Sequence, residues 1–131
     1  MTEYKFTLIL YGLAMLLRQR ALRYEAFRDR LKEKNLTAQL RTRDGRVGRW
    51  FTLNDGKLAT GRGLHANPDV VLSFKTAAIA ADLLMPPINQ LDQINALKDF
   101  TITLEGEEEL TNWWTQTMML TQSVGWKYGI D

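Results

Sequence analysis

The sequence predicts an α+β fold, in which five strands form a sheet covered by helices and a long helix lies at the N-terminus. One observation is the order of segments in the second half. There, an extended apolar run at 68–74 is followed by an apolar helical segment, another strand and an amphipathic helix that ends near 119. The other observation is a series of alternating apolar and polar segments in 36–64, separated by turn residues.

Length and composition fit a single domain, 1–131. The chain has 131 residues, of which 45% are hydrophobic and 24% charged, as in an ordinary globular protein. We divide it into a helix at 6–34, a sheet with covering helices at 36–123 and a tail at 124–131. The longest apolar run, 6–17, is shorter than the roughly 20 residues that a membrane-spanning helix needs. The chain contains no cysteine, which removes disulfide and thiolate chemistry and leads us to expect a cytoplasmic location.

The predicted N-terminal helix carries apolar residues at steps of three and four. These are Leu10, Leu13, Leu17, Ala21, Tyr24, Phe27 and Leu31. A second apolar set, Leu8, Ile9, Met15 and Leu16, lies off this stripe. Because a helix with two apolar faces needs two coverings, the second face is expected to meet the rest of the domain, a second copy or partner protein, or a membrane surface.

Most of the positive charge lies between Arg18 and Arg49, although the net charge is only +2. One interpretation is peripheral membrane contact, with Arg18, Arg20 and Arg23 near lipid phosphates. The alternative is a solvated helix face of mixed charge. Nucleic-acid binding is disfavoured, because strand alternation places Trp50 opposite Arg49 and the overall charge is small.

Four strands are predicted in the middle of the chain. They are at 36–41, 47–53, 57–64 and 70–74. The Asp44-Gly45 and Asp55-Gly56 pairs supply the positive φ angles of tight turns, so the first strands are expected to follow one another as a meander.

The remaining elements are two short helices, a fifth strand and a last helix. Thr76 can cap a helix at 77–85, which Pro86 and Pro87 must end, because each proline lacks a backbone donor. A short helix with Ile88, Leu91, Ile94 and Leu97 at three-residue steps follows. A fifth strand is predicted at 101–105, with Ile102 and Leu104 on one face. The last helix begins at glutamates 107–109, which complement its exposed backbone donors, and its buried stripe is Leu110, Trp113, Trp114, Thr117, Met118 and Thr121.

Reactive side chains are scarce. His65 is the only histidine and lies in a predicted loop. Ser73 lies within a strand and Ser123 in the tail, so neither has the context of an activated nucleophile. The glutamates at 107–109 are explained by charge complementation at a helix start. We therefore expect no catalysis, no cofactor and no metal site.

Large, adaptable apolar side chains are concentrated on the covering helices. They are Met85, Trp113, Trp114, Met118 and Met119. Such side chains can repack around varied hydrophobic ligands. They can equally fill the core, and the sequence leaves both possibilities open.

Four segments together resemble the sterol carrier protein type 2 family. They are Asp55–Leu58 (DGKL), Asn67–Phe74 (NPDVVLSF), the apolar helix at 77–85 and Asn95–Leu110 (NALKDFTITLEGEEEL). The chain departs from the pattern at Asp99-Phe100, where many members have a glycine just before the fifth strand. The resemblance implies a five-stranded, mixed and mostly antiparallel sheet with an apolar tunnel beneath its helices.

The resemblance also implies a function. Members of this family are non-enzymatic carriers of sterols, fatty acyl chains, acyl-CoA or phospholipid, and some are modules of enzymes. By position, the tunnel would be lined by Phe51, Leu72, Leu83, Leu84, Ile88, Trp114 and Met118. The expected partner is therefore a lipid or another hydrophobic small molecule. The alternative is an accessory or oligomerisation domain of a larger protein or enzyme, whose tunnel is filled by its own side chains and whose N-terminal helix pairs with a second copy or a partner.

Overall fold

A computed structural model describes residues 2–84 and 89–122 of the chain, which form five helices and five strands. The helices are α1 (Thr2–Arg23), α2 (Glu25–Leu31), α3 (Ala77–Leu84), α4 (Gln90–Lys98) and α5 (Glu108–Gln122). The strands are β1 (Leu36–Thr42), β2 (Gly48–Asn54), β3 (Lys57–Arg62), β4 (Val70–Phe74) and β5 (Ile102–Gly106). This architecture confirms the predicted α+β class.

The five strands form one sheet in the order β3-β2-β1-β4-β5. β4 runs parallel to β1, and all other neighbours are antiparallel, so the sheet is mixed and mostly antiparallel as expected. The meander ends at β3, because β4 crosses to the far side of β1. This position buries Val70, Leu72 and Phe74, whereas a place beside the half-exposed edge strand β3 would cover them less well.

The helices cover one face of the sheet, and strand alternation directs apolar residues towards them. Leu40 of β1 and Leu72 of β4 are paired neighbours in this core. The opposite face carries polar residues and the loop between β3 and β4. In that loop the backbone N–H of His65 donates to Oε1 of Gln39, and the His65 ring lies 5.6 Å from that of Trp50.

The predicted helix at 6–34 is divided in two, and it begins and ends earlier than expected. Tyr24 has φ −119° and ψ 114°, an extended conformation that separates α1 from α2. The guanidinium of Arg28 donates to the carbonyl oxygens of Ala21 and Leu22, at 3.0 and 2.9 Å. These bonds satisfy acceptors that the end of α1 leaves free.

The break preserves the predicted apolar stripe. Its members Leu10, Leu13, Leu17, Tyr24, Phe27 and Leu31 are buried, and Ala21 is half-buried. The bend at Tyr24 turns α2 so that its stripe stays on the core.

Two turns depend on positive φ angles. Asp55 and Gly56 have φ of 53° and 83°, the mirror-image turn that suits a two-residue hairpin loop between β2 and β3. Gly106, at the end of β5, has φ 133°, and a Cβ there would lie 2.3 Å from the carbonyl oxygen of Asp69. A larger residue would therefore separate β5 from the start of β4.

Candidate functional site

An apolar cavity lies between the sheet and its helical cover, with a volume of about 50 Å³. Its walls come from the sheet, from α1 and from the ends of α3, α4 and α5. The lining residues are Leu13, Leu40, Leu72, Phe74, Leu83, Leu84, Gln93, Ile94, Leu97, Ile102, Leu104, Thr115, Met118 and Met119. Two of these side chains are polar, and both make hydrogen bonds within the fold: Gln93 donates to the carbonyl of Leu83, and Thr115 donates to that of Thr111. The wall is therefore chemically suited to hydrocarbon.

The cavity is small in this conformation. Small-molecule pockets occupy roughly 300–1,000 Å³, so about 50 Å³ does not accommodate an acyl chain or a sterol. A ligand of that size needs the covering side chains to move. Met118 and Met119 are unbranched and flexible and can do so at low cost.

The structure brings four of the seven predicted tunnel residues together. Leu72, Leu83, Leu84 and Met118 all line the cavity. Phe51 and Trp114 lie fully buried in the core, with ring centroids 5.5 Å apart, and are not among the lining residues. Ile88 lies outside the described residues. The ligand-binding role of all seven stays a prediction.

Sequence reasoning missed several lining residues on α4 and β5. Ile94 and Leu97 share one face of α4, and Ile102 and Leu104 share one face of β5. The apolar spacing of both pairs was visible in the sequence. The sequence did not show that α4 contacts β5. This contact places the two pairs on opposite walls of the cavity.

The cavity reaches the protein surface between α4 and the edge strand β5. Ile94 and Leu104 line it, yet they are 39% and 37% exposed. Leu91, about one turn earlier on α4, is also exposed. We call the opening between Ile94 and Leu104 the cavity mouth.

A polar seam joins α2 to α5. The Arg30 guanidinium donates from Nε to the Thr117 hydroxyl at 3.0 Å and from Nη2 to the Trp113 carbonyl at 3.2 Å. It also lies 5.1 Å from the Trp113 ring centroid. The indole N–H of Trp113 donates to the Glu33 carboxylate at 3.1 Å. Burial lowers the pKa of Arg30 from its ordinary value.

One exposed ion pair extends the seam. The Lys34 ammonium donates to the Glu109 carboxylate in the first turn of α5, and this hydrogen bond lowers the pKa of Glu109. Further along, Nε of Arg20 in α1 donates to the Thr121 carbonyl at 3.2 Å. Together, the contacts of α5 with Arg20, Arg30, Glu33 and Lys34 make up what we call the polar seam. They fix α5 along its length.

The second apolar face of the N-terminal helix is partly exposed. Leu8 is 52% exposed, whereas Ile9, Met15 and Leu16 are half-buried against the domain. Tyr4, Tyr11 and Leu22 add to the exposed set, and the Arg49 guanidinium lies 5.4 Å from the Tyr11 ring centroid. Contact of this face with a second copy, a partner or a membrane remains a prediction.

A larger groove of about 490 Å³ lies on the opposite face of the sheet. It is open, and polar side chains such as Gln39, Arg41, His65, Ser73 and Glu105 contribute to its walls. Nδ1 of His65 accepts a hydrogen bond from the backbone N–H of Asn67 at 3.1 Å. A polar, open groove does not suit a hydrophobic molecule, so the smaller apolar cavity is the candidate site.

Neither a metal cluster nor a membrane span is found in the part of the chain that the structure describes. In residues 2–84 and 89–122, no three histidine or acidic side chains are grouped so that they could hold a metal ion. No helix within these ranges is long and apolar enough to cross a bilayer.

Comparison with known proteins identifies the fold. No protein-family profile matches the sequence, and no curated protein matches it significantly. Among solved structures, one described as UbiJ-SCP2 ubiquinone synthesis protein matches 88% of this chain and 92% of its own, at 12% identity and a TM-score of 0.60. A sterol carrier protein 2 crystal structure matches 86% of this chain and 95% of its own, at 15% identity and a TM-score of 0.55.

An enzyme contains a similar unit. A double mutant of the sec-alkyl sulfatase PisA1 matches 79% of this chain at 20% identity, with a TM-score of 0.53. This chain spans only 15% of that sulfatase. At these identities the comparisons establish the fold, and the chain has the sterol carrier protein 2 fold that its sequence motifs predicted.

Proposed function

We propose that this domain binds a hydrophobic molecule, such as a sterol, a fatty acyl chain, acyl-CoA or a phospholipid, and carries it without chemical change. The observation that supports this most is the cavity between sheet and helices, whose wall is almost entirely apolar and which reaches the surface at Ile94 and Leu104. The sterol carrier protein 2 fold supports the same function.

Binding would proceed by expansion of the cavity. Each CH₂ group of a buried chain contributes about 0.8 kcal/mol, so about ten groups would contribute up to about 8 kcal/mol. Part of this offsets the lost freedom of the ligand and the repacking of Met118 and Met119. The proposed affinity is therefore micromolar or weaker, as suits a carrier that must release its cargo.

The direct test combines native mass spectrometry of the purified protein with displacement of a fluorescent fatty acid. We expect a co-purified lipid or saturable probe binding. Leu83→Trp fills the cavity and should weaken probe binding tenfold or more. Leu22→Trp is the matched control, because Leu22 is exposed on α1 and is not among the lining residues, and it should leave binding unchanged. A wild-type protein that carries no lipid and binds no probe contradicts the proposal.

A second candidate is an accessory or oligomerisation domain whose cavity stays filled by its own side chains. Two observations favour it: the cavity is only about 50 Å³, and the same fold forms a small part of a sulfatase. Exposed Leu8 supplies a contact for a second copy. This version predicts a dimer in analytical ultracentrifugation that Leu8→Glu converts to a monomer, and a monomeric wild type contradicts self-association.

A further inference from the structure

Phe100 lies in the turn between α4 and β5 with its side chain 72% exposed. Its φ is 63°, in the left-handed region that bulky residues rarely adopt. The exposed aromatic ring contributes little to folding stability, and the unfavourable backbone conformation opposes it. Residues held in rarely populated backbone conformations cluster at functional sites, where the surrounding structure imposes the conformation.

The turn is held by a set of hydrogen bonds. Oδ1 of Asp99 accepts from the backbone N–H of Thr101 at 3.0 Å and from its hydroxyl at 2.6 Å. The backbone N–H of Lys75 donates to the Thr101 carbonyl at 3.0 Å. The Arg43 guanidinium donates to the Phe100 carbonyl. Phe100 is therefore presented to solvent on a well-supported turn.

Three exposed cations surround this turn. Lys98 ends α4, Arg43 is bonded to the Phe100 carbonyl, and Lys75 lies close enough to Asp99 to interact with its charge. Two carboxylates stand against them: Asp99, which accepts from Thr101, and Asp44 beside Arg43, which accepts from Thr42. The surface around the phenylalanine is therefore net positive.

The same turn borders the cavity. Leu97 before it and Ile102 after it both line the apolar space. Ile94 and Leu104, which form the mouth, belong to the two elements that the turn joins. An apolar tip, its cations and the opening of the cavity thus lie on one edge of the molecule.

We infer that this edge docks on an anionic lipid surface, with Phe100 inserted among the lipid and Arg43, Lys75 and Lys98 facing the headgroups. The inference rests on the proposed lipid-binding function and specifies where the ligand enters. A mouth placed against a bilayer lets a hydrophobic molecule pass between membrane and cavity without crossing water. Apolar insertion and electrostatic attraction act together in such docking, and the electrostatic part is weakened by salt.

The test is co-sedimentation of the whole chain with two kinds of vesicle, one of phosphatidylcholine alone and one of equal parts phosphatidylcholine and phosphatidylglycerol, at low salt. We expect binding to the anionic vesicles and its loss at high salt. Phe100→Asn should weaken binding tenfold or more. Asparagine tolerates a positive φ better than phenylalanine, so this variant should fold at least as well. Lys75→Gln and Lys98→Gln should each weaken binding roughly fivefold.

Two control variants separate this surface from the N-terminal helix. Leu22→Asn removes an apolar side chain that is 75% exposed on α1 and should leave vesicle binding unchanged. Leu8→Asn tests the other exposed part of α1. Loss of binding in Leu8→Asn with full binding in Phe100→Asn would assign docking to α1 and overturn the inference.

Other outcomes are equally decisive. If the wild type does not bind anionic vesicles at low salt but binds the fluorescent fatty acid, the docking inference is wrong and the proposed carrier function is supported. If the wild type binds the vesicles in a way that depends on Phe100 but binds no fatty acid, the docking inference is supported and the carrier function is contradicted. If Phe100→Asn abolishes self-association in ultracentrifugation and leaves vesicle binding unchanged, the turn is a protein interface and the inference is wrong.

Discussion

The two flanks of the helical cover are built differently. On the α2–α5 flank, Phe27 and Leu31 are fully buried, and Arg30 bonds to both Thr117 and the backbone of α5. On the α4–β5 flank, Ile94 and Leu104 are partly exposed and an apolar cavity lies between them. One flank is closed by dense packing and hydrogen bonds, and the other is covered thinly.

This difference separates stability from adaptability. Elements with few buried contacts open at lower free-energy cost than the elements of a dense core. A domain that must admit a ligand can therefore open at α4 while the α2–α5 flank keeps the sheet covered.

The strongest contrast uses the same substitution on both flanks. Leu31→Ala removes a fully buried side chain and should lower the free energy of unfolding by about 3 kcal/mol. Leu97→Ala removes a half-buried side chain that already borders a cavity and should cost only about 1 kcal/mol. Urea unfolding at a constant m-value measures both. Equal losses of unfolding free energy in the two variants would show that the two flanks contribute equally to stability.

Arg30→Met isolates the polar contribution of the closed flank. Methionine keeps the apolar stem, but it removes the charged donors to Thr117 and to the Trp113 carbonyl. The free energy of unfolding should fall by about 1.5 kcal/mol, as for hydrogen bonds from a charged group. Lys57→Met, an exposed site on β3, is the control and should change stability by less than about 0.5 kcal/mol. If Arg30→Met left the free energy of unfolding unchanged, packing alone would fix α5.

The closed flank was largely predictable from local pattern. The stripe on α5, including the unusual buried threonines Thr117 and Thr121, follows directly from helical periodicity. Strand positions agreed within one or two residues for the same reason, because alternation and turn residues are local signals. The break at Tyr24 was not predictable, since the apolar stripe continues through it and the bonds from Arg28 that support it arise only in the folded chain.

The open flank depends on long-range contacts, so its details were not predictable. β4 leaves the meander to pair with β1, and this crossover determines that β5 becomes an edge strand beside the cavity. The placement of Phe51 and Trp114 against each other, rather than on the cavity wall, is a matter of packing. The only sign of the positive φ at Phe100 lay in the resemblance, because many members of that family have a glycine just before the fifth strand; phenylalanine itself is among the residues least suited to this conformation.

The smallest expected effect concerns the exposed end of the seam and its dependence on pH. The hydrogen bond from Lys34 lowers the folded-state pKa of Glu109 below its unfolded value. The ionised carboxylate therefore stabilises the fold above the unfolded pKa of about 4.3, and this contribution is lost as the pH falls through the lower, folded-state pKa. The melting temperatures of the wild type and Glu109→Gln should differ slightly at about pH 7. They should converge once the pH is below the folded-state pKa of Glu109. Glu108→Gln is the matched control, because it removes a charge from the same helical turn and leaves the Lys34–Glu109 ion pair in place. A Glu109→Gln difference that persists unchanged in acid would show that the ion pair does not contribute through its charge, and that the flank is closed by Arg30 and the buried side chains alone.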